Sequence, residues 1–261
     1  MVYDAANWNE IVFPMPPVTE PNDAASRAAL LLAAHGERRP DATNEGVFRI
    51  AEALAGRGLE VAVGFISGVP TVGEALQTLA ADRVLVYPLF AANGYFTRDR
   101  LVQILDEAKN AGRNIEMLPP LGLDPGLPHL VLQQARNAAQ EHGLTPDSST
   151  LILLAHGSQR NPASRQSTED LARAVERHGG FRHVAVAFLE EPPSLFDAIA
   201  SIEGPAVVLG VFSGEGLHGA KDAPGLVARI GRRDVVFAGI MGTAPGIADL
   251  VARAVAARLA G

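Results

Sequence analysis

Repetition constrains this chain more than any other feature. "LLLAAHGERRP", from Leu30, returns as "LILLAHGSQRNP" from Leu151. "VAVGFISGVPTVGEAL", from Val61, returns as "VAVAFLEEPPSLFDAI" from Val184, and "VLVYPLFAANGYFTRD", from Val84, returns as "VVLGVFSGEGLHGAKD" from Val207. Three matches in one order, 121 to 123 residues apart, mean that one structural unit has been duplicated within the 261 residues. Any fold for this chain must therefore be a fold for its half.

The unit itself reads as α/β. Short apolar runs, Leu30–Ala33, Val61–Val63 and Val84–Tyr87, alternate with helical spacings such as Val47, Ile50, Ala51 and Leu54. The second half repeats the rhythm with Leu151–Leu154, Val184–Phe188, Ala206–Phe212 and Val235–Phe237, and closes on Ile247, Leu250, Val251 and Val255 at helical spacing. Near-continuous apolar strands between helices predict parallel sheets covered on both faces. The expected architecture is two similar parallel-sheet α/β/α domains around a central cleft, a common place for a ligand. The junction falls near "EHGLTPDSS" at Glu141–Ser149, which divides the chain into a Pro- and Asn-rich extension over residues 1–28, a first domain over 29–143 and a second over 144–261. In the extension, Trp8, Ile11, Val12 and Phe13 are the residues expected to dock it on the body.

Charge and composition narrow the function. The formal net charge of −7 argues against nonspecific nucleic-acid binding, and an anionic ligand would need local Arg or Lys. With no cysteine, disulfides, thiolate zinc sites, Cys-ligated iron–sulfur clusters and cysteine nucleophiles are all excluded. The N-terminus lacks the basic and apolar regions of a signal peptide, and no apolar stretch approaches the ~20 residues of a membrane helix. A cytoplasmic protein without membrane contact is expected, and fusion of the halves in one chain predicts a monomer.

Each half opens with a strand that ends in Ala-His-Gly, at His35 and at His156. A histidine after a buried strand sits at the carboxyl edge of the sheet, where α/β folds keep their ligands. The halves then diverge. The second carries Glu190 after its second strand and His218 after its third, where the first has Ser67 or Gly68 and, with a one-residue gap, Phe96. Two imidazoles and a carboxylate on one edge suit a first-row divalent metal with open coordination positions, and equally suit proton removal. Asp222 either orients His218 or caps the helix that follows. Glu191 and Glu215 are the reserve carboxylates. His142 and His178 precede glycines at helix ends, His129 lies in a helix start and His183 at a strand start, all ordinary structural positions.

In these residues the chain resembles the class II chelatases of the sirohydrochlorin cobaltochelatase/ferrochelatase (CbiX/SirB) type. Members carry a strand followed by H-G-S-R-x-P, an A-F-L-E segment before proline, and P-L-F-L-x-x-G-x-H-x-x-x-D-I-P. Here these read His156-Gly157-Ser158-Gln159-Arg160-Asn161-Pro162, Ala187-Phe188-Leu189-Glu190, and Gly216-Leu217-His218 with Asp222-Ala223-Pro224. Gln159 is an insertion, "EEPPS" is a shortened loop, and Gly210 replaces a proline, but no ligand position is lost. The resemblance covers about residues 29 to 261. It implies insertion of Co2+ or Fe2+ into sirohydrochlorin or a related tetrapyrrole, in cobalamin or siroheme biosynthesis. It further implies His156, Glu190 and His218 as metal ligands and catalytic groups, and contacts from Ser158, Arg160, Arg38, Arg39 and His35 to the carboxylate-rich substrate. Arg98, Arg100 and Lys221 come next as anion contacts. The metal is then a substrate, and no permanently bound cofactor is expected.

Other readings meet obstacles. Phosphohistidine enzymes place an arginine before the His-Gly pair, where this chain has Ala34 and Ala155. Glycines around Ser67 and Ser213 do not form G-x-S-x-G. A carrier or sensor that binds metal or tetrapyrrole without joining them remains open, because the first half has lost its histidine and glutamate.

Overall fold

The computed structural model of the protein describes residues 28–37, 44–159, 162–214 and 222–260. The expected N-terminal extension lies outside them, as do Arg38, Arg39, Arg160, Glu215, His218 and Lys221. In the first half, β1 (Ala29–Ala34), β2 (Val61–Phe65), β3 (Arg83–Pro88) and β4 (Asn114–Met117) alternate with α1 (Glu45–Ala55), α2 (Val72–Thr78), α3 (Leu101–Asn110) and α4 (Leu127–Glu141). The second half repeats this with β5 (Thr150–Ala155), β6 (His183–Phe188), β7 (Ala206–Gly210) and β8 (Val235–Ile240), alternating with α5 (Ala163–His178), α6 (Leu195–Ala200), α7 (Ala223–Ile230) and α8 (Ile247–Ala260).

The two sheets have one topology. Their orders are β2-β1-β3-β4 and β6-β5-β7-β8, and every pair is parallel. The first strand of each half is thus central. All six residues of β1 and all six of β5 are buried, which is why both read as unbroken apolar runs. Even the helix caps are copied. Thr71 with Glu74 and Ser194 with Asp197 form capping boxes at the starts of α2 and α6.

β4 has no counterpart among the expected strands. It is an edge strand of four residues, Asn-Ile-Glu-Met, with one fully buried side chain. Polar side chains on a short edge block further pairing, and they also remove the apolar signal by which a strand is read. The apolar run Ala206–Phe212 pairs only as far as Gly210.

Although both faces of β1 are buried, they pack differently. Ala29, Leu31 and Ala33 face α2 and α3, where they meet Val72, Leu76, Leu101 and Leu105. Leu30, Leu32 and Ala34 face a core that also contains Leu151, Leu153 and Ala155 of β5. Helices α1, α4, α5 and α8 line this shared core, so the two sheets are joined through one apolar interior rather than a polar seam.

Within that layer the closing helices change places. α4 follows the first sheet in sequence but packs on α5, β7 and β8, whereas α8 follows the second sheet and packs on α1. Gln134 of α4 donates to the carbonyls of Ala238 (2.8 Å) and Ile240 (3.2 Å). Asp249 of α8 pairs with Arg57 at 2.5 Å, and Arg258 bonds Glu116, which also takes Arg83 at 3.1 Å. These exposed ion pairs contribute little individually, so burial of Leu250, Val251 and Val255 is what holds α8 in place.

This exchange predicts a single cooperative unfolding transition for both halves. Leu250→Ala, at a site only 2% exposed, is expected to cost about 2–4 kcal/mol. Urea denaturation followed by circular dichroism checks both points. Two resolved transitions would show that the halves stand independently.

Candidate active site at the carboxyl edges of the sheets

A central strand buried on both faces cannot hold a histidine, so the imidazole appears at the first position past its end. His35 and His156 are both exposed, each directly after a buried alanine. The glycine that follows turns the chain with φ of 73° at Gly36 and 72° at Gly157, a left-handed conformation that favours glycine. Space demands glycine as well. A Cβ on Gly36 would lie 2.6 Å from the Ser67 oxygen, and one on Gly157 would lie 2.8 Å from Glu191 Cγ.

The neighbouring strand closes onto this turn through matched hydrogen bonds. Ile66 and Ser67 donate to the carbonyls of Ala34 (3.0 Å) and His35 (2.7 Å). Leu189 and Glu190 donate likewise to Ala155 and His156, both at 3.0 Å. Glu190 is therefore the counterpart of Ser67, and Glu191 that of Gly68, which resolves the ambiguity in the sequence alignment of the halves. Glu190 is exposed, and its carboxylate makes no hydrogen bond or ion pair among the described residues. His156 Nδ1 lies 2.9 Å from the Gly157 carbonyl oxygen. With the proton on Nδ1 and donated there, the acceptor lone pair of the ring is on Nε2.

Glu191 is engaged elsewhere. Its Oε1 accepts from the Ser158 N–H at 2.9 Å, and its Oε2 takes Arg165 Nε at 3.0 Å and Nη2 at 2.8 Å. Arg165 also bonds the Pro192 carbonyl and stacks 4.5 Å above the Phe188 ring. This clamp ties α5, the His156 turn and the β6 loop together. Sequence reading kept Glu191 as a reserve ligand and did not single out Arg165, which sits in "ASRQSTED" like any solvated helix residue. The first half has Gly68 where the clamp needs its carboxylate.

The remaining expected positions divide clearly. Ser158 lies beside His156 with its N–H on Glu191. Asp222 precedes α7 but makes no side-chain capping bond. His35 packs edge to face on Phe96, with centroids 4.5 Å apart. Among the described residues no three His, Asp or Glu side chains come together as a metal site, and His218 of the expected triad is outside them. Nor is any described helix long and apolar enough to cross a membrane.

Two parallel sheets of one topology, each with a strand–His–Gly turn at its carboxyl edge, define a duplicated chelatase-like α/β protein. The sequence model of the CbiX family matches residues 29–138 and again residues 150–258. The chain belongs to the CbiX family. It is 26% identical over 262 residues to a probable sirohydrochlorin cobaltochelatase of Halobacterium salinarum, covering 85% of this chain and 89% of that one. Among solved structures it resembles a CbiX described as the terminal enzyme of siroheme biosynthesis in denitrifying bacteria, at 29% identity and a TM-score of 0.69, covering 88% of this chain and 98% of that one. SirB of Bacillus subtilis, solved with Fe3+, shares the fold at 15% identity and a TM-score of 0.72, covering 90% of this chain and 96% of its own.

The clamp has a pH signature. The Ser158 N–H, and then the Arg165 guanidinium, hold the Glu191 carboxyl below the usual glutamate range, against the opposing effect of desolvation. A carboxyl depressed in the folded state stabilises the fold above its unfolded pKa, and that stabilisation is lost as pH falls through the folded value. The urea midpoint should therefore fall on acidification below about pH 4.3, the ordinary glutamate value, and Glu191→Gln should flatten that fall. Identical pH profiles for the two proteins would remove the clamp from the account.

Proposed function

We propose that the protein inserts a divalent metal, Co2+ or Fe2+, into sirohydrochlorin or a related tetrapyrrole, as a metal chelatase of cobalamin or siroheme synthesis. The observation that carries this reading is the edge pair of His156 and Glu190. The imidazole has its Nδ1 on the Gly157 carbonyl, and the exposed carboxylate of Glu190 stands in the loop just past the end of the adjacent strand. Membership of the CbiX family supports it.

Insertion exchanges two pyrrole N–H protons for one M2+, so a site must hold the metal, accept protons and admit a wide flat ligand. In this reading His156, Glu190 and His218 hold the metal. Once the metal has passed to the macrocycle, the Nε2 lone pair it leaves on His156 accepts one pyrrole proton, and Glu190 takes the other or passes it to water. The same reading assigns contacts to the macrocycle and its carboxylates to Ser158, Arg160, Arg38, Arg39 and His35. The clamp of Glu191 and Arg165 orients the His156 turn without joining the metal. The metal is a substrate that leaves with the product.

His156→Ala and His218→Ala should each lower kcat by about 100-fold or more, the range for loss of a positioned acid–base group. His35→Ala should act mainly on KM for the tetrapyrrole. Anaerobic incubation with sirohydrochlorin and each metal, followed by absorbance, measures both constants, with circular dichroism to confirm folding. An inactive His35→Ala beside a fully active His218→Ala would move the site to the first half. Binding of both substrates without turnover would make the protein a carrier.

A further inference from the structure

Three aromatic rings meet at the carboxyl edge of the first sheet, where the duplicated segment of the second half contains His218. The His35 ring stands edge to face on Phe96 at 4.5 Å and 64°, and Phe96 stands on Tyr95 at 5.4 Å and 68°. Contact has not buried them. Tyr95 is 55% exposed and Phe96 41% exposed, among the few large apolar side chains the described surface leaves in water. Rings fixed by one another yet open to solvent form a ligand surface rather than a core.

The backbone beneath them is also unusual. Phe96–Arg100 forms a π-helical turn, a rare conformation that occurs frequently at functional sites. Buried Thr97 anchors it, with its Oγ1 donating to the Ala92 carbonyl at 3.2 Å. The same turn carries Arg98 and Arg100 against Asp99, a net positive charge in an acidic protein.

Packing shows which way this step lies. Gly94, next to Tyr95, abuts the first residue of α5, since a Cβ on Gly94 would stand 3.3 Å from that of Ala163. Ser164 follows, and its Oγ accepts the Gly157 N–H at 3.2 Å. The aromatic step of the first half and the His156 turn of the second are thus joined through Gly94, Ala163, Ser164 and Gly157, across the boundary between the halves.

We infer that Phe96, braced edge to face by His35 and by Tyr95, is a platform that receives the flat face of a conjugated macrocycle and presents it to the His156 edge, with Arg98 and Arg100 beside its peripheral carboxylates. This rests on the chelatase reading above and adds Phe96 and Tyr95 to it as affinity-determining residues. The first half then has a task of its own. Where a metal triad would need a second histidine it holds an aromatic ring, which binds the other substrate.

The test is titration of the full-length protein with metal-free sirohydrochlorin, followed by absorbance. Phe96→Ala should weaken binding about tenfold and Tyr95→Ala about threefold, the range for loss of one aromatic pair contact. Phe96→Leu should resemble Phe96→Ala, because it keeps the apolar bulk but not the flat face, whereas Phe96→Tyr should bind like wild type. In turnover the loss should appear in KM for the macrocycle and not in KM for the metal. Wild-type affinity in folded Phe96→Ala and Phe96→Leu would overturn the platform and leave the chelatase reading standing. No macrocycle binding by the wild-type protein would overturn that reading and the platform with it.

Discussion

Burial of the two central strands on both faces is the constraint from which the rest follows. β1 and β5 each have parallel neighbours on either side and helices above and below, so neither carries a charged or imidazole side chain along its length, and the one polar residue, Thr150, stands at the start of β5. Chemistry is expelled to the first residue beyond the strand, and in both halves that residue is histidine. The following glycine accepts a backbone conformation and a closeness of approach that other residues would resist. An apolar interior thus fixes where the polar residues emerge, and the tight turn fixes how they point.

Duplication made two such edges, and the halves then used them differently. In the second, Glu191 and Arg165 lock the turn while Glu190 stays exposed beside His156. In the first, Ser67 makes the backbone bond that Glu190 makes in the second and Gly68 follows it, neither with a carboxylate, and the histidine leans on a ring. The shared backbone scaffold, down to the paired capping boxes, is what makes these side-chain differences informative.

Much of this was legible in the residues, and the failures have physical causes. Seven of the eight strands stand out as apolar runs because both faces of their sheets are covered. β4 does not, since it is four residues long and, of Asn-Ile-Glu-Met, only the isoleucine is buried. The His-Gly turns were legible through repetition, whereas one copy would have looked like a strand end and nothing more. The clamp was hidden because Arg165 and Glu191 are 26 residues apart, the arginine resembles an ordinary surface charge and the glutamate resembles a spare ligand. The helix exchange was hidden for another reason: an amphipathic stripe states that a helix must cover a sheet but not which one. Leu127–Glu141 and Ile247–Ala260 satisfy the same pattern on either side of the molecule. Alignment of the halves left Glu190 opposite Ser67 or Gly68, and only the carbonyl of His35 decided between them.

The exchanged helices also set an order on the making of the molecule. During synthesis the first sheet leaves the ribosome early, but α8, which packs beside α1, is translated only after every strand of both sheets. Arg57 finds Asp249 at a sequence separation of 192. Until then α1 and the inner face of the first sheet must wait with apolar surface uncovered, while α4, already made, waits for a sheet not yet translated. Pairing between such distant segments closes large loops and slows the final step of folding. The protein cannot mature one half at a time, and a nascent chain stalled before α8 would expose an unfinished core to whatever apolar surface it met first.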